Sequence, residues 1–193
     1  MIKATRDDKS LIVNILIDSF KDNQSVNYIV RQDNHKLKCI RALMEYSFEI
    51  CFNFGETWLS DDGKACALLL FPQKKRTTIQ SIWRDIKLIW QAIGIGGVMK
   101  ALDRETKIKA KQPKEPMLYL WFIGVDPTLQ HRGIGTQLLK EIINRSNERN
   151  LPIFLETSTI KNLPWYENFN FYTYDKLELG YTLFFLKHEP DKS

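Results

Sequence analysis

The chain has 193 residues, of which 44% are hydrophobic and 26% charged, and its net charge is +5. These proportions are near the globular norm and exclude collagen-like, low-complexity and disordered classes. No apolar run approaches the ~20 residues that a membrane helix needs, and the charged start MIKATRDDKS lacks the apolar stretch of a signal peptide. We therefore expect one cytoplasmic domain over residues 1–193, without membrane association.

Residues of the kinds that bind metals are few and scattered. The chain has three histidines and three cysteines, and none of them shows metal-ligand spacing: His35, His131, His188, Cys39, Cys51 and Cys66. We expect no metal, and we expect the cysteines to be reduced, mostly buried thiols.

Positive charge is concentrated in residues 74–115, which contain 11 basic and 4 acidic residues. Such a segment is compatible with a solvated helical face, or with binding to nucleic acid, an anionic membrane surface or an anionic ligand. No zinc finger, heptad repeat or aromatic-flanked RNA motif accompanies it, so we expect no nucleic acid partner.

Hydrophobic periodicity in the N-terminal part predicts a strand, two helices and a hairpin. Asp7 or Asp8 is a candidate cap for the first helix, and two apolar runs flank the turn sequence at 61–63. The predicted elements are a strand at 2–6, a helix ending at Phe20, a helix at 36–53, and strands at 56–59 and 64–71.

The remaining chain predicts more helices and a strand–helix–strand unit. Trp83 and Trp90 lie seven residues apart on one predicted helix, where they face either the core or a ligand. The predicted elements are helices at 77–93, 98–110, 133–149 and 162–169, and strands at 117–125, 153–157, 171–177 and 181–187, with a glycine cluster at 94–97.

A glycine-bearing turn joins the strand that ends at Val125 to the helix that begins near Gly133. Gly133 and Gly135 let backbone N–H groups approach a ligand closely, because neither has a Cβ. The helix start adds further amides and a positive dipole end, which favour an anion such as pyrophosphate. The turn is neither a Walker A loop nor a dinucleotide fingerprint, because the Lys-Ser/Thr pair and the third glycine are missing.

The motif Gln130-x-x-Gly133-x-Gly135 resembles the Q/R-x-x-G-x-G/A signature of the GNAT superfamily of N-acetyltransferases. The resemblance continues through LETSTIKNLPWYENFNF at 155–171, and with GVDP at 124–127 it is most similar to the branch that contains puromycin N-acetyltransferase. It covers residues 117–187 well and the N-terminal half only by element order. His131 and Asn170 depart from the pattern, since many members have glycine at these positions.

The resemblance implies an α+β (α/β) fold, with a mixed, mostly antiparallel twisted sheet flanked by helices. The basic segment at about 74–115 would be a helical insertion between strands 3 and 4. An insertion there is well placed to line an acceptor pocket, and its positive charge would disfavour a polycationic acceptor.

The resemblance also implies acetyl-CoA as cosubstrate, held by a strand backbone, the glycine turn and the start of a short helix. Arg132 is equally compatible with a solvated side chain, and Asn162 with a helix N-cap. The implied cofactor-binding residues are Ile123, Gly124, Val125, Gln130, His131, Arg132, Gly133, Ile134, Gly135, Thr136, Asn162 and Tyr166.

Two residues are candidates for proton transfer. The resemblance implies that Tyr166 is a general acid for the departing CoA thiolate, since a tyrosine with a pKa near ~10 stays protonated at neutral pH. The alternative is an aromatic side chain that only packs. Glu156 is a possible base for the amine, or else a structural carboxylate bonded to backbone amides.

The leading hypothesis is an enzyme that transfers an acetyl group directly to a primary amine of a small molecule, as a monomer or homodimer. The sequence shows no Ser-His-Asp or Cys-His arrangement, which disfavours an acyl-enzyme. One rival is a non-catalytic acyl-CoA sensor on the same fold, and the other is a basic interaction domain that uses residues 74–115.

Overall fold

A computed structural model describes residues 1–74, 92–93 and 97–191, and these residues form a seven-stranded sheet with helices on both faces. The strand order is β1-β2-β3-β4-β5-β7-β6. All neighbouring strands are antiparallel except β4 and β5, which are parallel. The strands are β1 Ile2–Lys3, β2 Gly55–Leu59, β3 Ala65–Leu70, β4 Leu118–Val125, β5 Ile153–Thr157, β6 Tyr172–Glu178 and β7 Thr182–His188. The expected mixed, mostly antiparallel sheet is confirmed.

The described helices agree with the hydrophobic periodicity to within a few residues, with one addition. They are α1 Lys9–Phe20, α2 Gln24–Ile29, α3 Lys36–Phe54, α4 Val98–Lys111, α5 Ile134–Arg149 and α6 Leu163–Glu167. The expectations for a helix at 77–93, for Trp83 and Trp90, and for Gly94 and Gly96 lie outside the described residues, apart from 92–93. No helix in the described ranges is long and apolar enough to cross a membrane.

Two details near the N-terminus differ from the sequence expectations. The predicted strand at 2–6 is only two residues long, because the Asp8 carboxylate accepts hydrogen bonds from the Thr5 amide and hydroxyl and turns the chain. Asp8 therefore makes no side-chain cap on α1. The unpredicted α2 is capped by Asn23, whose side chain accepts a hydrogen bond from the Val26 amide at 3.1 Å.

The sheet separates two apolar clusters. α1 and α3 pack on one face through residues such as Leu16 and Phe48, and α5 packs on the other through Leu139. β3 is buried on both sides, with Leu68 in the first cluster and Leu69 in the second. The three cysteines are free and buried, which confirms that they are packed thiols.

Asn170 has a left-handed backbone with φ +60°, a conformation that glycine adopts without strain and that asparagine tolerates better than most other residues. We expect Asn170→Ala to lower the free energy of unfolding by about 1 kcal/mol, because other L-residues are strained in this conformation. Asn170→Gly should change it by less than half as much. Urea denaturation of the three proteins checks this, and equal stability of the alanine variant would contradict it.

Candidate active site

A gap opens between the two parallel strands at the centre of the sheet. β4 and β5 pair only at Leu118↔Ile153 and Tyr119↔Phe154, although β4 continues to Val125. The cause is a β-bulge directly after the paired residues, where the register with β3 skips Trp121. A bulge bends its strand and increases the local twist, so β4 diverges from β5 beyond this point.

The gap exposes backbone groups of β4 on one side. The Asp126 amide donates to the Lys64 carbonyl at 2.9 Å, so this residue turns its backbone amide toward the β3 side. By the alternation of an antiparallel ladder, Ile123 and Val125 turn their backbone groups toward the gap. The Val125 carbonyl also accepts a hydrogen bond from the Ser19 hydroxyl at 2.9 Å.

The backbone groups of Gly124 face away from the gap, unlike those of Ile123 and Val125. A Cβ on this residue would lie 3.0 Å from Ser19 Oγ and 3.2 Å from Leu16 Cδ2, which are both on α1. The residue therefore allows α1 to approach β4 closely, and the structure does not bring its backbone to the gap side.

The turn after β4 reverses the chain with two left-handed residues. His131 has φ +63° and Gly133 has φ +82°, and Gly133 is the N-cap of α5. Gln130, His131 and Arg132 are exposed. The first intrahelical bond is donated by the Gln137 amide to the Gly133 carbonyl, which leaves the amides of the first turn pointing out of the helix end.

The start of α5 lies beside the end of β4 and against α6. A Cβ on Gly135 would lie 3.1 Å from Val125 Cγ2, so this glycine allows the start of α5 to approach the end of β4 closely. The Trp165 indole N–H donates to the Thr136 hydroxyl at 3.1 Å and ties α6 to the same helix end. Asn162 is the N-cap residue of α6, as the sequence predicts, but its side chain makes no capping hydrogen bond.

Tyr166 is buried on the α5 face of the sheet. Its ring packs against Trp165 at 4.7 Å and Phe171 at 5.5 Å between centroids, within the apolar cluster that contains Leu120 and Leu155. Burial raises the pKa of the Tyr166 hydroxyl, because the apolar surroundings disfavour the phenolate. The side chain therefore keeps its proton at neutral pH.

Glu156 is half-buried on the opposite face. Its Oε1 accepts a hydrogen bond from the Gln112 side-chain amide at 2.8 Å, and its Oε2 accepts one from the Tyr119 hydroxyl. Burial raises the pKa of this carboxyl, and the hydrogen bond from Tyr119 acts in the opposite direction. The predicted alternative of a carboxylate bonded to backbone amides is wrong, since both partners are side chains.

The fold matches that of known acetyltransferases. Residues 87–171 match the profile of the acetyltransferase (GNAT) family. The structure is similar to a histone acetyltransferase HPA2 and related acetyltransferase from Corynebacterium glutamicum, with a TM-score of 0.74 at 18% identity over 100% of this chain and 96% of that one. This is a GNAT fold.

Two further similarities accompany the GNAT fold. Arylalkylamine N-acetyltransferase 2 from Aedes aegypti has a TM-score of 0.62 at 13% identity, covering 97% of both chains. An uncharacterized N-acetyltransferase of Schizosaccharomyces pombe is 36% identical over 61 residues, which are 32% of this chain and a quarter of that protein. These similarities support a relation to the GNAT superfamily, whereas a relation to the puromycin N-acetyltransferase branch is not confirmed.

Sequence reasoning missed the partners of Glu156. Tyr119 belongs to β4 and Gln112 follows α4, so neither is near Glu156 in the sequence. The residues that it found divide between the two faces of the GNAT sheet: Tyr166 packs with α5, and Glu156 lies on the side of α4. Within the described residues no cluster of His, Cys, Asp and Glu has the geometry of a metal site.

Proposed function

We propose that this protein transfers an acetyl group from acetyl-CoA directly to the primary amine of a small molecule. The β4–β5 gap carries the proposal, because it ends at the open N-terminus of α5. An extended ligand arm can pair with the backbone of Ile123 and Val125 as an added strand, while amides at the end of α5 hold a pyrophosphate. Acetyl-CoA combines these two features and supplies an activated thioester.

The two proton-transfer groups lie on opposite faces of the sheet. Direct transfer forms a bond from the amine nitrogen to the acetyl carbon and breaks the bond from that carbon to sulfur. Glu156 accepts the proton that the amine loses, and the Tyr166 hydroxyl protonates the departing thiolate. A base and an acid on opposite sides suit this reaction, because the amine arrives and the thiolate leaves at different positions.

Ligand binding and turnover test the proposal separately. Acetyl-CoA should raise the melting temperature, because a ligand that binds only the folded state stabilises it by mass action. A panel of small amines should then release free thiol from acetyl-CoA. Stabilisation without thiol release from any amine would favour a sensor, and absence of stabilisation would contradict the proposed site.

A pH profile tests whether Glu156 is the base. Tyr119→Phe removes a hydrogen bond that favours the Glu156 carboxylate, so the pKa of this carboxyl should rise further. Because the base acts only when deprotonated, the acidic limb of kcat/KM should move to higher pH.

Tyr174→Phe is the matched control for this variant. Tyr174 packs on Phe154, which lies two residues before Glu156 in β5. Within the described residues, Tyr174 donates no hydrogen bond to Glu156. The acidic limb of kcat/KM in Tyr174→Phe should stay at the wild-type pH. An unchanged limb in Tyr119→Phe would remove Glu156 from the mechanism.

A further inference from the structure

One half-buried cation of α4 has no acidic partner in the described part of the chain. Within the described part of the chain, Arg104 has no carboxylate within ion-pair distance, whereas three lysines of α4 are paired. The pairs are Lys107–Asp103 at 2.7 Å, Lys109–Glu105 at 3.3 Å and Lys111–Asp175 at 2.8 Å. The missing acid is notable because Arg104 is half-buried.

Neutral hydroxyl groups hold the Arg104 guanidinium in place. Its Nη2 donates to Ser25 Oγ at 2.6 Å, and its Nε donates to the Tyr181 hydroxyl at 3.2 Å. Tyr181 also donates to Ser25 at 3.3 Å and packs against Tyr28 at 5.4 Å between ring centroids. The guanidinium is therefore fixed by three elements, α2, α4 and the β6–β7 turn, and keeps N–H donors for another acceptor.

The position of Arg104 relates it to the proposed acetyl-transfer site. Ser25 lies next to the carboxyl end of β5, because its amide donates to Ser158 Oγ at 3.3 Å. Burial raises the pKa of the Glu156 carboxyl, the positive charge of Arg104 acts in the opposite direction, and the negative charge of Glu105 on the same helix adds to the rise. Glu156 and Arg104 thus present opposite charges on the α4 side of the gap.

An arginine fork is suited to an anionic ligand group. Its planar donors match a carboxylate, and removing a positive charge from water is costly without a partner. We propose that the acceptor amine also carries a carboxylate, and that Arg104 binds this carboxylate while the amine lies toward Glu156. The inference rests on the proposed acetyl transfer and narrows its substrates to amino-acid-like molecules.

Matched acceptors test the inference in the wild-type protein. Leucine and leucinamide have nearly the same size, and only leucine has the carboxylate; tyrosine and tyrosinamide form a second pair. In assays of thiol release, kcat/KM should be about 10- to 100-fold higher for the acids, the range expected for hydrogen bonds to a charged group. Equal or better use of the amides would overturn the inference while leaving acetyl transfer intact.

Variants of α4 assign the preference to a residue. Arg104→Met should raise KM for the acids about 10- to 100-fold and leave the amides unchanged, and Arg104→Lys should lie in between, because it keeps the charge without the fork. Lys107→Met removes the same charge from an exposed position of the same helix, and it should leave KM unchanged for both the acids and the amides. Equal effects of Arg104→Met on acids and amides would overturn the assignment.

A binding measurement keeps the inference testable without turnover. In the presence of CoA, N-acetylleucine should bind more tightly than N-acetylleucinamide, and Arg104→Met should remove the difference. The melting temperature and the stabilisation by acetyl-CoA show whether each variant is folded. If acetyl-CoA does not stabilise the wild-type protein, the proposed acetyl-CoA site is wrong. If the two products bind equally well, only the proposed binding of a carboxylate by Arg104 is wrong.

Discussion

Gly135→Glu abolishes the thermal stabilisation that acetyl-CoA is expected to give the wild-type protein. The new side chain starts 3.1 Å from Val125 Cγ2, where α5 meets the end of β4. It also places a negative charge at a helix end proposed to hold a pyrophosphate. At a ligand concentration of 100 Kd the loss amounts to about 2.7 kcal/mol of ligand-induced stability.

The same variant should remain folded without ligand. A carboxylate in the first turn of a helix interacts favourably with the helix dipole, which offsets part of the steric cost at Val125. Gln137→Glu is the control, because it adds the same charge two residues further along at an exposed position. An unchanged thermal shift in Gly135→Glu would place the pyrophosphate elsewhere.

Tyr166→Phe should keep the affinity for CoA and lower the rate of acetyl transfer. The change removes one hydroxyl and keeps the ring contacts with Trp165 and Phe171, so the fold should survive. If the hydroxyl protonates the departing thiolate, its loss costs about 10²- to 10⁴-fold in rate. Burial raises the pKa of Tyr166, so the proton is present at neutral pH.

Pre-steady-state measurement of acetyl transfer is the appropriate assay, because product release limits turnover in many enzymes and hides a slower chemical step. Tyr172→Phe is the matched control, since Tyr172 is exposed and bonds to Glu189 at the surface. Wild-type transfer rates in Tyr166→Phe, with intact CoA binding, would exclude Tyr166 as the acid. They would leave the acetyl-transfer proposal in place.

Local patterns in the sequence were sufficient for most of the fold. Helical periodicity and the DDG turn predicted α1, α3, α5 and the β2–β3 hairpin, because these features depend on neighbours along the chain. The Gly133-x-Gly135 turn was also visible, since a left-handed residue and a helix start are local properties. The short α2 was missed although Asn23, its cap, is a recognisable start signal.

Contacts between distant residues were decided only by the tertiary structure. The bulge at Trp121 arises from the register of β4 against β3, and it opens the gap that no single strand sequence predicts. The carboxyl of Glu156 meets Tyr119 and Gln112 because β4 and β5 are neighbours and α4 packs nearby.

The sequence by itself therefore determined the order of the elements and the glycine turn, since both depend on spacing along the chain. It placed Tyr166 and Glu156 as candidates but gave no partner for either. Only the tertiary structure put Tyr166 among apolar side chains and Glu156 within range of Arg104, and burial raises the pKa values of both groups. Proton affinity depends on burial and neighbouring charges, which residues far apart in the sequence create only when the chain is folded.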